Sequence, residues 1–390
     1  MVPIVPLQVC ETCRGFFCSQ GDNELAALDL GSEILLQECL DGVAGRQAPH
    51  TAIGLDERNA AVADADEERA FRLFDLLECA IRAELDNGPD LLIGLECVNF
   101  KEMFQEKVID YFLADYAKGW TPNPCIACNR YVKFEGLLQK AMELGAEYVA
   151  TGHYARIGQD ETGRYVLKKG IDTHKDQSYA LYHLNQQSLA HFLMPLGDYT
   201  KVETRELAER YKLPVAHKPD SQEICFVPHD DYKAYLRAKN PACLHPGDIV
   251  DTEGHVLGHH EGVPLYTIGQ RKGLGIAHPE PLYVVDLDMA HDRVIVGGAK
   301  DVYADGLIAG DLNWIAIDAL EAPIAVTAKV RYGRREGRAH VEPLAGGKVK
   351  VRFEEPQRAM TPGQSVVFYD GDTVVGGGII EKALRKGEEV

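Results

Sequence analysis

The sequence contains no run approaching the roughly 18 consecutive apolar residues that a membrane-spanning helix needs. Its opening, MVPIVPLQVC, also lacks the basic start and long apolar stretch of a secretory signal. Both absences predict a soluble, cytoplasmic protein. Cysteine is sparse, 10 in 390 residues, too thin for a disulfide scaffold. In a reducing compartment most of these should be thiols, buried as small apolar residues. Lysine is missing altogether from residues 1–92, where 18 Asp and Glu face 6 Arg for a local charge of −12, while the rest of the chain carries −7 of the total −19. The whole-chain charge argues against a nucleic-acid partner, because phosphate contacts need Lys and Arg. Most of the acidity sits in the first quarter, however, so a local basic surface farther along is open. Internal repeats and low-complexity linkers are also missing.

What is present is an ordinary globular content of 45% apolar residues, in a chain long enough for two or three domains. Residues 1–92 show few strand signals and one acidic helix-like run, DADEERAFRLFDLLECAIRAEL. From Val98 onward, NFKEMFQEKVIDYFLADYAKG puts Phe100, Phe104, Val108 and Phe112 four apart, which predicts a helix ending near Gly119. KFEGLLQKAMELG reads as a helix closed by Gly145, and AEYVATGHYA as a buried strand ending in Gly152-His153. Helix followed by strand is α/β grammar. In open α/β sheets the ligand crevice lies at the carboxyl ends of the strands, which makes Gly152 and His153 candidate ligand positions. TKVETRELAERYKLP carries Thr200 and Glu203 in capping-box spacing and should stop before Pro214. Beyond about Pro246 the pattern turns to strands. GDIVDTEGHVLG predicts a hairpin at Glu253-Gly254, and GGKVKVRFEEPQ and QSVVFYDGDTVVGGGII predict further alternating strands of a small barrel or sandwich.

Four stretches carry chemistry-bearing side chains. TPNPCIACNR holds Cys125 and Cys128 in C-x-x-C spacing, compatible with half of a zinc site, a redox pair, a catalytic thiol or two packing residues. A zinc site would need the distant Cys10 and Cys13 as its other half. KPDSQEICFV sets Cys225 where a polar run meets an apolar one. THKDQSYALYHL gathers Lys175, Asp176, Gln177 and Ser178, a pattern that a solvated helix cap would also give. YTIGQRKGLGI surrounds Arg271 and Lys272 with Gly269, Gly273 and Gly275, which suits close approach to phosphate but equally a glycine-rich turn.

Taken in order, NPCIACNRYVKF, ATGHYAR, KDQSYALY, DSQEICF, GQRKGLGI, DLNW, VRFEEPQRAMTPGQSVVFYDGD and GGGII resemble the tRNA-specific 2-thiouridylases, the MnmA family, from about Val98 to Lys382. The resemblance implies an α/β adenine-nucleotide alpha-hydrolase-like (PP-loop, Rossmann-like) domain, a small central domain and an all-β C-terminal barrel. It divides the chain into a divergent acidic segment 1–92, the remainder of the α/β domain at 93–215, a central tRNA-binding domain at 216–285 and the barrel at 286–390. It implies ATP, with Mg2+, as cofactor and no tightly bound metal. It also implies two partners: a tRNA with a wobble uridine, and a persulfide-donating relay protein or cysteine desulfurase. The implied chemistry suits the residues. The C2 oxygen of uracil leaves poorly until AMP is transferred onto it, and sulfur then arrives from a persulfide, so two distant cysteines must meet. By resemblance Cys225 carries the persulfide, and Cys128 is the nucleophile that closes a disulfide with it. Asn123, Pro124 and Cys125 match the segment contacting the target base, Gly152 an ATP contact and His153 a tRNA contact. Lys175, Asp176, Gln177, Arg331, Tyr332 and Gln364 match further tRNA-contacting positions.

Two departures stand out. Many family members have Asp where this chain has Cys125, so a carboxylate is missing from the base-facing loop and Cys125 could compete for Cys225. The S-G-G-x-D-S loop that cradles the pyrophosphate of ATP is not found in residues 1–92, where DLGSEILLQ and AIGLDERNAA come nearest. Beside the thiolating enzyme stand two alternatives: a degenerate tRNA-binding or sulfur-carrying homologue without ATP binding, and a zinc module built from Cys10, Cys13, Cys125 and Cys128.

Overall fold

A computed structural model describes residues 7–10, 52–55, 96–211, 213, 216–217 and 224–388. The chain divides into two compact units, Met1–Val108 with Cys125–Asp230, and Ile109–Pro124 with Asp231–Val390. The acidic helix-like run, the polar run Asp220–Glu223 and Cys13 lie outside the described residues.

The first unit is α/β. Strands β1 (Leu7–Cys10), β2 (Ala52–Leu55), β3 (Glu96–Asn99) and β4 (Tyr148–Thr151) are short and parallel; β1 pairs with β3, and β2 with β4. The first 92 residues thus contribute two strands despite their few strand signals. β4 lies between β2 and the two-residue strand Phe192–Leu193, and Val149, Ala150 and Thr151 are all buried. A continuous buried run suits a central parallel strand covered on both faces. A hairpin of β5 (Ala155–Gln159) and β6 (Tyr165–Lys169) follows, then β7 (Phe192–Leu193), parallel to β4.

The helices mostly form where their local signals lie. Leu137–Glu143 ends in a left-handed Gly145 (φ +80°), with Gly145 N–H bonded to the Met142 carbonyl and Ala146 N–H to the Ala141 carbonyl. That is a Schellman closure, and it delivers the chain straight into β4. Lys201–Arg210 carries the full capping box: the Thr200 side chain accepts from Glu203 N–H at 3.3 Å, and Glu203 Oε2 accepts from Thr200 N–H at 2.7 Å. The helix expected after Val98 is not a single α-helix. It runs as Lys101–Phe104, a π-helical stretch Gln105–Asp110, and Tyr111–Ala117. Phe104, Val108 and Phe112 are nevertheless all buried, because apolar burial fixes the face while the π turns change only the local winding. Phe104 packs edge-on against Phe226 with centroids 5.8 Å apart.

The second unit is mostly β. Strands β8 (Gly247–Val250), β9 (Val256–His260), β10 (Tyr283–Asp288) and β11 (Arg293–Gly297) form one sheet in the order β10-β11-β8-β9. The β8–β9 hairpin turns where Glu253-Gly254 predicts it. Ile249, Val263, Val284, Val294 and Val296 form its core. Strands β12 (Tyr303–Trp314), β13 (Ile324–Lys329), β14 (Gly337–Leu344), β15 (Lys348–Arg358), β16 (Ser365–Asp370) and β17 (Thr373–Leu384) pair antiparallel in the order β12-β15-β14-β13-β16-β17. β17 then returns to pair with β12, so the choice between barrel and sandwich falls to a closed six-stranded barrel. Leu307, Val341, Val351, Val366, Phe368 and Ile380 fill it. No helix among the described residues is long and apolar enough to cross a membrane.

Candidate functional site

The C-x-x-C stretch lies in a helical segment that begins with Pro124 at its first position, where proline costs no hydrogen bond, and changes from α at Pro124–Ala127 to π at Cys128–Gly136. The two cysteines differ sharply: Cys125 is exposed and Cys128 is buried. Cys128 sits at the α-to-π junction, and π turns within α-helices are frequent at functional sites. Its neighbour Asn129 is buried and donates its side-chain amide to the Ala180 carbonyl at 3.2 Å. One turn on, the fully buried Phe134 ring meets Phe192 of β7 at 4.3 Å, His153 at 5.3 Å and His183 at 6.4 Å between centroids. The thiol-bearing helix, the end of β4 and the segment around residue 180 are thereby held in one cluster.

Gly152 and His153 follow β4 directly at its carboxyl end, the edge where α/β sheets bind ligands. His153 is buried, and its Nδ1 lies 3.0 Å from Thr151 Oγ1. The Lys175-Asp176-Gln177 triplet docks beside it. Gln177 Oε1 accepts from Tyr154 N–H at 2.8 Å, and Gln177 N–H donates to the Tyr154 carbonyl at 2.9 Å. Asp176 is buried; its carboxylate accepts from Gly170 N–H and Ser178 N–H, both at 3.1 Å, and from Ser178 Oγ at 2.9 Å. Asp176 and Gln177 therefore spend side-chain capacity on building the turn, while Lys175 beside them is half-buried. Cys225 is half-buried and is followed directly by the fully buried Phe226. Cys125, Cys128, Cys225 and Cys243 are all free thiols.

Sequence reasoning passed over two residues of this unit. Asn129 received no role of its own, and His183 lay unnoticed at the end of SYALYH. Both His183 ring nitrogens are buried with no hydrogen-bond partner. Burial first, then the charges of Arg130 and His153, pull its pKa down to about 3, so the imidazole is neutral at physiological pH. Nothing local marks such a residue, because its position is set by the ring of Phe134, 49 residues earlier.

In the second unit, Tyr332 is 45% exposed, with the Lys329 ammonium 5.8 Å from its ring centroid. Burial, then Tyr232 stacked on it at 5.2 Å, pushes the Tyr116 phenol above its usual range, and Arg331 opposes that rise. The GQRKG loop braces itself: Gln270 accepts from Thr267 N–H at 3.1 Å and donates to the Lys272 carbonyl at 2.9 Å, leaving Arg271 and Lys272 exposed. Gln364, matched by resemblance to a tRNA-contacting position, is only 8% exposed and donates Nε2–H to the Thr121 carbonyl at 2.7 Å. Thr121 N–H in turn donates to the Pro362 carbonyl at 2.8 Å. Among the described residues, no group of three His, Cys, Asp or Glu side chains gathers to hold a metal ion. This includes Cys125 and Cys128.

Along the chain, an α/β unit with a buried thiol is followed by a small β-sheet and a closed β-barrel, three parts in all. Family models match each part: a tRNA methyl transferase HUP domain over residues 84–229, a tRNA methyl transferase PRC-barrel domain over 234–298, and an Aminomethyltransferase beta-barrel domain over 304–380. The chain is 56% identical over 289 residues to tRNA-specific 2-thiouridylase MnmA 1 of Caldanaerobacter subterraneus subsp. tengcongensis, covering 74% of this chain and 79% of the relative. It is 56% identical over 289 residues to the MnmA of Moorella thermoacetica, covering 74% and 81%. It is 53% identical over 288 residues to that of Carboxydothermus hydrogenoformans, covering 74% and 79%. The chain belongs to the tRNA-specific 2-thiouridylase family.

Proposed function

We propose that this protein transfers sulfur to C2 of the wobble uridine of tRNA, with Cys225 carrying a persulfide and Cys128 as the resolving nucleophile. The observation that carries the reading is the contrast within the C-x-x-C: a buried Cys128, on a helix tied to Ala180 through Asn129 and to His153 through Phe134, and an exposed Cys125. Asn123, Pro124 and Cys125 then face the target base, and His153, Lys175, Asp176, Gln177, Arg331 and Tyr332 serve tRNA binding, directly or by shaping the surface that does.

The sulfur step balances as follows. The terminal persulfide sulfur of Cys225 attacks C2 of the activated uracil, and the oxygen departs with its activating group. The Cys128 thiolate then attacks the Cys225 sulfur, breaking the bond to the transferred sulfur, which stays on the base. A Cys128–Cys225 disulfide forms, and a dithiol reductant restores both thiols. ATP, when bound with Mg2+, supplies the AMP that makes the C2 oxygen a leaving group. The residues fit a nucleotide in part. The backbone of Gly152 lies at the carboxyl end of a central parallel strand, next in register to the end of β2 at Leu55, but the sequence supplies no S-G-G-x-D-S cradle for the polyphosphate.

The absence of that loop from the sequence sets one alternative beside this reading, a homologue that binds tRNA or carries sulfur without adenylating. Thiolation of a uridine-34 tRNA with a sulfide donor, with and without ATP, separates the two. Thiolation that needs ATP and both Cys128 and Cys225 supports the enzyme. Inactivity with tRNA binding retained supports the homologue.

A further inference from the structure

We infer that Gln364 is a positioning residue: its amide clamps the base-facing loop Thr121–Pro124 onto the C-terminal barrel. The inference rests on reading Asn123 and Pro124 as base-facing, as above.

The loop is shaped from both ends. At the helix end, the Asp115 carbonyl accepts from both Lys118 N–H and Trp120 N–H at 3.0 Å, and the Tyr116 carbonyl accepts from Gly119 N–H at 2.9 Å. These bonds fold the chain sharply back into Trp120. Thr121 is then gripped through its backbone alone. Its N–H donates to Pro362, its carbonyl accepts from Gln364 Nε2, and its own hydroxyl is buried without a partner. This is a ladder step in which a side-chain amide replaces the second strand's N–H.

The gripping side is rigid. Gln364 N–H donates to the Thr361 carbonyl at 3.1 Å, and its carbonyl accepts from Ile380 N–H of β17 at 2.8 Å. Gly363 N–H donates to the Ile380 carbonyl at 2.9 Å. Gly363 has φ +88°, and a Cβ there would lie 2.9 Å from Thr121 N and 3.0 Å from Trp120 Cβ. Only glycine lets the barrel backbone approach the loop this closely. Gln364 is 8% exposed, and one N–H of its side-chain amide is committed to the Thr121 carbonyl. Its partner lies two residues before Asn123 and seven before Cys128.

The test is hydrogen–deuterium exchange on the free full-length protein, with wild type, Gln364→Met and Gln364→Glu. Gln364→Met keeps the volume and loses the donor, so the Thr121 amide should lose at least tenfold protection while β14 and β15 amides keep theirs. Gln364→Glu should match Met at pH 8, where a carboxylate faces a carbonyl, and regain most of that protection at pH 5, where a protonated carboxyl can donate. It also provides a folded comparison should the Met variant fail to fold. Unchanged protection at Thr121 in Gln364→Met, or no pH-dependent recovery in Gln364→Glu, overturns the inference. In thiolation, the clamp predicts that Gln364→Met lowers kcat at least tenfold with KM for tRNA within threefold; a raised KM at unchanged kcat also overturns it. The exchange readout needs no tRNA, ATP or turnover, so it stands or falls apart from the enzyme reading.

Discussion

Asn129 reaches 51 residues forward to the Ala180 carbonyl, so the turn carrying Cys128 is tied to the segment carrying His183. Asn129→Ala removes a bond worth about 1 kcal/mol and leaves a carbonyl unsatisfied. We expect a fall of about 2–4 °C in melting temperature and a fall of about tenfold in thiolation rate. Asn129→Asp should do no better, because it sets a carboxylate against that carbonyl. Thermal melting and single-turnover thiolation measure the two effects.

Cys128→Ser and Cys225→Ser are each expected to lower thiolation at least about a thousandfold, as loss of a nucleophile does, while tRNA affinity stays within about twofold. Cys125→Ser should retain most activity. Non-reducing electrophoresis after a single turnover should show an internal disulfide in wild type and Cys125→Ser, and in neither of the other two.

His183 binds a proton in the unfolded chain below its ordinary value near 6.5, but in the folded chain only near 3. Between those values the unfolded state holds the extra proton. Stability is therefore full above about pH 6.5 and falls as pH drops toward 3, by up to about 1.4 kcal/mol per pH unit. His183→Leu, which also removes two unsatisfied nitrogens, should flatten this acid-side loss. Urea midpoints at pH 4, 5 and 7 for the two proteins give the comparison; parallel slopes would mean that His183 is not the group responsible.

Tyr332 stands out from the barrel with Lys329 over its ring, an arrangement suited to stacking a base. Tyr332→Ala should weaken tRNA binding by roughly 1–3 kcal/mol with little change in salt dependence. Arg331→Ala should lower the slope of log Kd against log salt by about 1. Filter binding over a salt series distinguishes stacking from phosphate contact.

Features written in adjacent residues were legible in the sequence. The Thr200–Glu203 capping box, the Gly145 helix stop and the Glu253-Gly254 hairpin each depend on a few neighbours, and each forms as expected. The alternating strands showed a β region but not its closure, because the β12–β17 pairing joins strands some seventy residues apart. The family was legible in the order of the motifs around Cys128 and Cys225. The Asn129–Ala180 and Gln364–Thr121 bonds and the burial of His183 were not legible, because they depend on partners distant in sequence, and a Gln beside a turn looks the same whether it faces solvent or Thr121. The π-helical stretches carry no compositional mark at all.

The Thr121–Gln364 bond spans 243 residues and leans on β17 through Ile380. On a ribosome working from the amino end, the loop ahead of Cys128 emerges early and waits for its anchor until the last barrel strand has been made. Under the proposed clamp, the loop ahead of Cys128 takes its set form only in finished chains. A nascent or truncated product that already displays both cysteines lacks the clamp that sets the loop before Cys128.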